Sequence, residues 1–166
     1  MTLSSSKRYL YNCSLLTLPI LIWNIILANK LPEAFQAEVF WHNIPLVLVY
    51  AENTSRMGVF IMAILMPLGI ERPAQKQGLW VYLSGTLIYF MSWLVLIFFP
   101  HSVWSTSLPG FVAPAYTPLV WLTGIGLIGD PFYVNLLYHR WYFIGLSIIF
   151  LACHNLHTCI IYYRLH

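Results

Sequence analysis

Apolar residues gather along this chain into five long runs separated by short polar connections. The runs cover residues 10–29, 44–68, 79–99, 111–128 and 141–163. A helix that crosses hydrocarbon needs about 20 mostly apolar residues at 1.5 Å rise each. None of the runs alternates with the period of two that marks an outer-membrane strand. A chain inside a bilayer must satisfy its own backbone polar groups, and long unalternating runs do so as helices. The pattern predicts an all-α fold: one domain, residues 1–166, forming a polytopic integral membrane bundle of five transmembrane helices. Lys7 and Arg8 precede the first run as they would in a signal peptide. The run is long and no clear A-x-A site follows it, so it reads as a retained first helix.

The connections carry their own signals. Residues 31–43 mix Pro32, Glu33, Glu38, Trp41 and His42 with Phe35, Val39 and Phe40. That mixture predicts a short helix lying in the outer interface. Pro45 stands near the start of the second helix, where its missing N–H costs nothing. Residues 71–78, with Pro73, read as a polar cytoplasmic loop. Residues 101–110 carry no charge although this topology puts them outside. Their Trp104, Leu108 and Pro109 predict a loop folded back over the mouth of the bundle. Gly129-Asp130-Pro131 reads as a turn in which Asp130 caps a helix starting at Pro131 and running toward Arg140.

Composition narrows the class. Sixty per cent of the residues are hydrophobic and 8% are charged, with 8 Lys or Arg and 5 Asp or Glu. Soluble domains carry about 25% charged residues. Thirteen charges cannot solvate a globule of this size, which excludes an ordinary cytosolic enzyme. It also excludes a nucleic-acid binder with a basic face, and a disordered chain, which would need low hydrophobicity. The 7 Trp and 11 Tyr suit membrane–water interfaces. Cys13, Cys153 and Cys159 are an odd set inside apolar runs and do not form a disulfide framework.

Charge placement sets the orientation. Lys7, Arg8, Arg72, Lys76 and Arg140 fall on one side of the five-helix scheme, and only Lys30 and Arg164 on the other. Basic residues accumulate in cytoplasmic loops. The N-terminus is therefore expected in the cytoplasm and the C-terminus outside, in the plasma or cytoplasmic membrane.

Candidate chemistry sits where polar residues interrupt the runs. The second run contains Ala51-Glu52-Asn53-Thr54-Ser55-Arg56. A Glu or Arg at a membrane centre costs about 2.5–3.5 kcal/mol, and one Leu or Ile returns only about 0.3–0.6 kcal/mol. Glu52 and Arg56 are four apart and can pair on one helical face. They either line an internal polar cavity, form a packing ion pair without a ligand, or sit in a loop between two short segments. The fifth run contains His154 and His157, three apart and on about the same face. Three roles are open to them: acid–base or ligand contact, structural hydrogen bonding between helices, or ligation of haem or a metal. A two-histidine pair without a third ligand is a weak metal signal, so no metal site and no cofactor are assigned.

Depth links these residues. At 1.5 Å per residue, Glu52 lies about 12 Å from the outer end of its helix, His154 about 13 Å and His157 about 9 Å. Asn24, Tyr89, Ser92, Tyr116, Thr117 and Trp121 fall at roughly 8–15 Å. The polar residues thus share a layer in the outer half, which predicts a polar cavity there, capped by residues 101–110. Its expected ligand-binding residues are Glu52, Asn53, Arg56, Asn24, Tyr89, Tyr116, Trp121, His154 and His157. Glu52, His154 and His157 are the candidates for any catalytic role. Pro114, Pro118, Gly124, Gly126 and Gly129 on the fourth run indicate either a broken, carbonyl-exposing helix or close helix packing.

The leading functional expectation is a membrane protein that binds, or acts on, a lipophilic small molecule in that cavity. Whether it catalyses a reaction is left open. A small oligomeric transporter or channel could use the same groups as an ion or proton path. A non-catalytic membrane assembly subunit is the third reading. The expected partners are the lipid bilayer, the lipophilic ligand and a possible second copy of the chain, with no nucleic acid.

Overall fold

The computed structural model describes residues 11–129, 131–132 and 140–165. Among these the fold is all-helical, with two isolated backbone bridges, Asn12 to Pro67 and Leu68 to Gly129. Five helical segments form the bundle: α1 (Cys13–Lys30), α2 (Leu46–Leu65), α3 (Pro73–Phe98), α4 (Ala113–Ile128) and α5 (Arg140–Leu165). Three of them, α1, α3 and α5, are long and apolar enough to cross a membrane. The 20-residue α2 has the length, and its Glu52 to Arg56 patch lowers its hydropathy.

Local chemistry explains the boundaries. Asn12 opens α1 by accepting the Ser14 N–H on Oδ1 at 3.1 Å. The first turn, Cys13–Thr17, is a tight 3-10 turn. Pro19 has no N–H to return to Leu15, so the Leu18 N–H bonds that carbonyl instead. Met66 is extended because Pro67 follows it, and this ends α2. Helix α3 begins six residues earlier than the apolar run. Pro73 occupies its first turn, and Gln75 Oε1 reaches back to the Glu71 and Arg72 N–H groups at 3.1 and 3.0 Å. Residues 73–78 are therefore helix rather than the expected loop. Pro118 divides α4 into Ala113–Tyr116 and Pro118–Ile128, and the Thr117 hydroxyl bonds the Ala113 carbonyl at 2.8 Å.

Contacts between helices fix an up-and-down order. The Tyr82 hydroxyl donates to the Leu16 carbonyl and the Tyr89 hydroxyl to Asn24 Oδ1, both at 2.7 Å, so α1 and α3 run parallel. Glycines decide the α3–α4 contact, the most extensive in the bundle. A Cβ at Gly78 would lie 2.7 Å from Leu127 Cβ, and one at Gly124 would lie 2.6 Å from Tyr82 Cα. Of the two readings of the α4 glycines, these contacts correspond to close packing. Helices α2 and α5 pair on the other side, where a Cβ at Gly58 would lie 2.9 Å from Leu146 Cδ2. The core at the end holding residues 12–13 and 66–68 is apolar, built on Cys13, Ala63, Met66, Ile125, Ile128 and Phe143.

The expected interfacial helix at residues 31–43 consists of two short turns, Glu33–Phe35 and Ala37–Phe40. Gln36 Nε2 ties it to the Leu31 carbonyl at 3.0 Å. Arg164 at the end of α5 donates to the carbonyls of His42 and Asn43, and Asn43 takes a left-handed conformation with φ of 52°. The expected Asp130-capped helix falls mostly on residues 130 and 133–139, outside the described residues. Pro131 and Phe132, which are described, carry no helix.

Candidate functional site

Glu52 is wholly buried, with 0% of its side chain exposed. Helix α2 presents it to the face of α5 that carries both histidines. Oε1 accepts from Arg56, one turn along α2, and from Nδ1 of His154 at 3.0 Å. Oε2 faces Nδ1 of His157 at 2.7 Å. His157, also 0% exposed, places its other nitrogen, Nε2, 2.8 Å from the Phe40 carbonyl. Phe40 belongs to the short turn Ala37–Phe40, and its ring lies 4.2 Å from the imidazole of His157. Trp41 meets the same ring edge-on at 4.8 Å.

These partners settle the proton inventory. A carbonyl oxygen only accepts, so His157 Nε2 carries a hydrogen. A second hydrogen lies between Nδ1 and Oε2, on one atom or the other. Whether written as carboxylate with imidazolium or as carboxylic acid with neutral imidazole, the Glu52–His157 pair is neutral overall. Arg56 then contributes a positive charge that the pair does not cancel. Burying the Glu52 carboxylate without partners would be costly, and both of its oxygens are engaged.

A cavity of about 380 Å³ lies against this cluster. Of the residues expected to bind a ligand, Asn24, Arg56, Tyr89, Trp121 and His154 line it. Glu52 and His157 stand behind its wall. Asn53 bonds the Val49 carbonyl at 3.0 Å and Tyr116 the Pro109 carbonyl at 3.2 Å, and neither reaches the cavity. The Arg56 side chain is 31% exposed, with its guanidinium 5.3 Å from the centre of the Phe150 ring. His154 stacks on Phe150 at 5.7 Å and spends Nδ1 on Glu52, with no hydrogen bond to Nε2 among the described residues. The rest of the lining is chiefly apolar and aromatic, including Ile20, Leu31, Phe60 and Leu122. Trp121 Nε1 is buried without a hydrogen-bond partner among the described residues.

Two features escape the sequence pattern. Residues 31–43, rather than residues 101–110, cover the cluster, since Phe35 and Phe40 both line the cavity. Residues 101–110 instead border a second hollow through His101, Ser105 and Thr106. The Phe40 carbonyl is the other feature, because a backbone acceptor leaves no residue-type signature. Both imidazoles spend Nδ1 on the carboxylate, and among the described residues no three His, Cys, Asp or Glu are disposed to hold a metal ion. No protein-family model matches this chain, and no curated protein or solved structure matches it either.

Proposed function

We propose that this chain is an integral membrane protein that binds, or acts on, a lipophilic small molecule in the cavity between α1 and α5. One observation carries the reading: Glu52, with both oxygens hydrogen-bonded, stands behind the wall of a chiefly apolar and aromatic cavity that its partners Arg56 and His154 line. Binding sites for small molecules combine mostly apolar walls with a few placed polar groups. Ionisable groups within spanning segments usually serve such a site.

The membrane assignment rests on the outward faces. In the apolar windows of α1, α3 and α5 only 17%, 39% and 33% of residues are buried. Apolar side chains therefore point outward while Glu52 and His157 point inward. With α2 and α4 added, the up-and-down order supports five crossings. Arg72 and Arg140 flank the ends nearest the 66–68 segment, whereas Arg164 sits at the opposite end beside His42. That sorting supports a cytoplasmic N-terminus in a plasma or cytoplasmic membrane. A path for ions through a single chain is disfavoured by the apolar core of Ala63, Met66, Ile125 and Ile128 beneath the cavity.

Native mass spectrometry of the chain purified in a nonionic detergent tests the proposal. One discrete lipophilic adduct per chain is expected, and loss of it in Leu21→Trp, which places an indole at the cavity lining. A wild-type protein free of adducts after incubation with a lipid extract would overturn the reading.

A further inference from the structure

We infer that the cavity selects a lipophilic anion, specifically a single-chain carboxylate of fatty-acid type, whose head group meets Arg56 and His154. The inference rests on the reading of the cavity as a ligand site and adds the charge of the ligand. Its basis is the charge inventory. Among the described residues the cavity lining contains Arg56 and His154 and no Asp or Glu. The acid nearest to it, Glu52, is wholly buried and committed to three partners. Because His157 Nε2 must donate to the Phe40 carbonyl, Glu52 and His157 together carry no net charge. The positive charge of Arg56 is left uncompensated beside a chiefly apolar cavity, where a counter-anion is worth more than in bulk water.

The donors agree with this assignment. Arg56 spends one terminal nitrogen on Glu52, and its other contact, from Nη1 to Asn53 Oδ1, is long at 3.5 Å. A guanidinium has five N–H donors, so several remain for a carboxylate. Apart from Thr17, Asn24 and Thr158, the rest of the lining is aromatic and aliphatic, which suits an acyl chain. A cationic amphiphile would meet Arg56 with like charge.

The test uses the whole wild-type chain in nonionic micelles with cis-parinaric acid as fluorescent probe. Its methyl ester and a long-chain primary amine are the competitors. The expected result is one acid bound per chain, at least about tenfold tighter than the ester, the size of one charge-assisted hydrogen bond. The amine should not displace it. Arg56→Gln should abolish the preference of acid over ester, and Arg56→Lys should retain most of it. Equal binding of acid and ester by the wild-type chain would overturn the carboxylate assignment while leaving the cavity reading in place. Displacement of the acid by an anionic two-chain phospholipid at equal concentration would overturn the single-chain assignment. Failure of acid, ester and amine alike to bind would overturn the cavity reading itself.

Discussion

Glu52 is the residue on which the bundle interior turns. Breaking a buried ion pair by removing one partner costs about 3–5 kcal/mol, because the remaining charge stays buried. Glu52→Gln should therefore lower the thermal unfolding midpoint in detergent by on the order of 10 °C. The exposed Glu38→Gln should shift it by no more than about 0.5 kcal/mol equivalent. Circular dichroism melts check both, and matching shifts would show that Glu52 is not held as described. A double-mutant cycle of Glu52→Gln with His157→Asn should give a coupling of about 0.5–3 kcal/mol. Much of this residue-level picture is legible in the sequence. Helical spacing put Glu52 with Arg56, and His154 with His157, on shared faces, and rise per residue put both pairs at one depth. Facing direction was not legible, since depth cannot distinguish Asn24, which lines the cavity, from Tyr116, which does not.

Packing between elements is set by glycine rather than by side-chain bulk. A Cβ at Gly85 of α3 would lie 2.8 Å from the Val120 carbonyl carbon of α4. The obstacle is backbone and cannot move aside, so Gly85→Ala should destabilise by about 1–3 kcal/mol. Gly145 on α5 has nothing within 4 Å of its notional Cβ. Gly145→Ala should be neutral or stabilise by about 0.5–1 kcal/mol through helix propensity. Opposite signs in thermal melts of the two variants are the expected outcome, and equal effects would contradict the α3–α4 contact. The apolar runs located the helices, with errors at the ends that have a common cause. Gln75 and Lys76 look like loop residues by polarity, yet Pro73 and the Gln75 side chain start α3 ahead of them. Residues 31–43 read as interfacial from their mixed composition. Their role over the Glu52 cluster depends on contacts 117 positions apart in the chain, which local pattern does not encode.

At the scale of the whole molecule, the distribution of polarity is the reverse of a soluble bundle. Val47, Ile25 and Trp80 are 82%, 77% and 71% exposed, while Glu52 and His157 are fully enclosed. Under the membrane reading, lipid covers the outer residues and the cavity offers a lipophilic molecule the polar contacts that lipid lacks. The two surfaces are thus distinguishable by saturation. Photolabelling with a diazirine-bearing fatty acid, followed by peptide mapping, tells occupancy of the cavity apart from contact with surrounding lipid. Saturable labelling is expected at Thr17, Ile20 and Asn24 on α1 and at Phe150 to Thr158 on α5, competed away by unlabelled fatty acid. Labelling that is confined to the outward residues Ile22, Ile25, Ile26 and Trp80, and that excess fatty acid does not reduce, would contradict it.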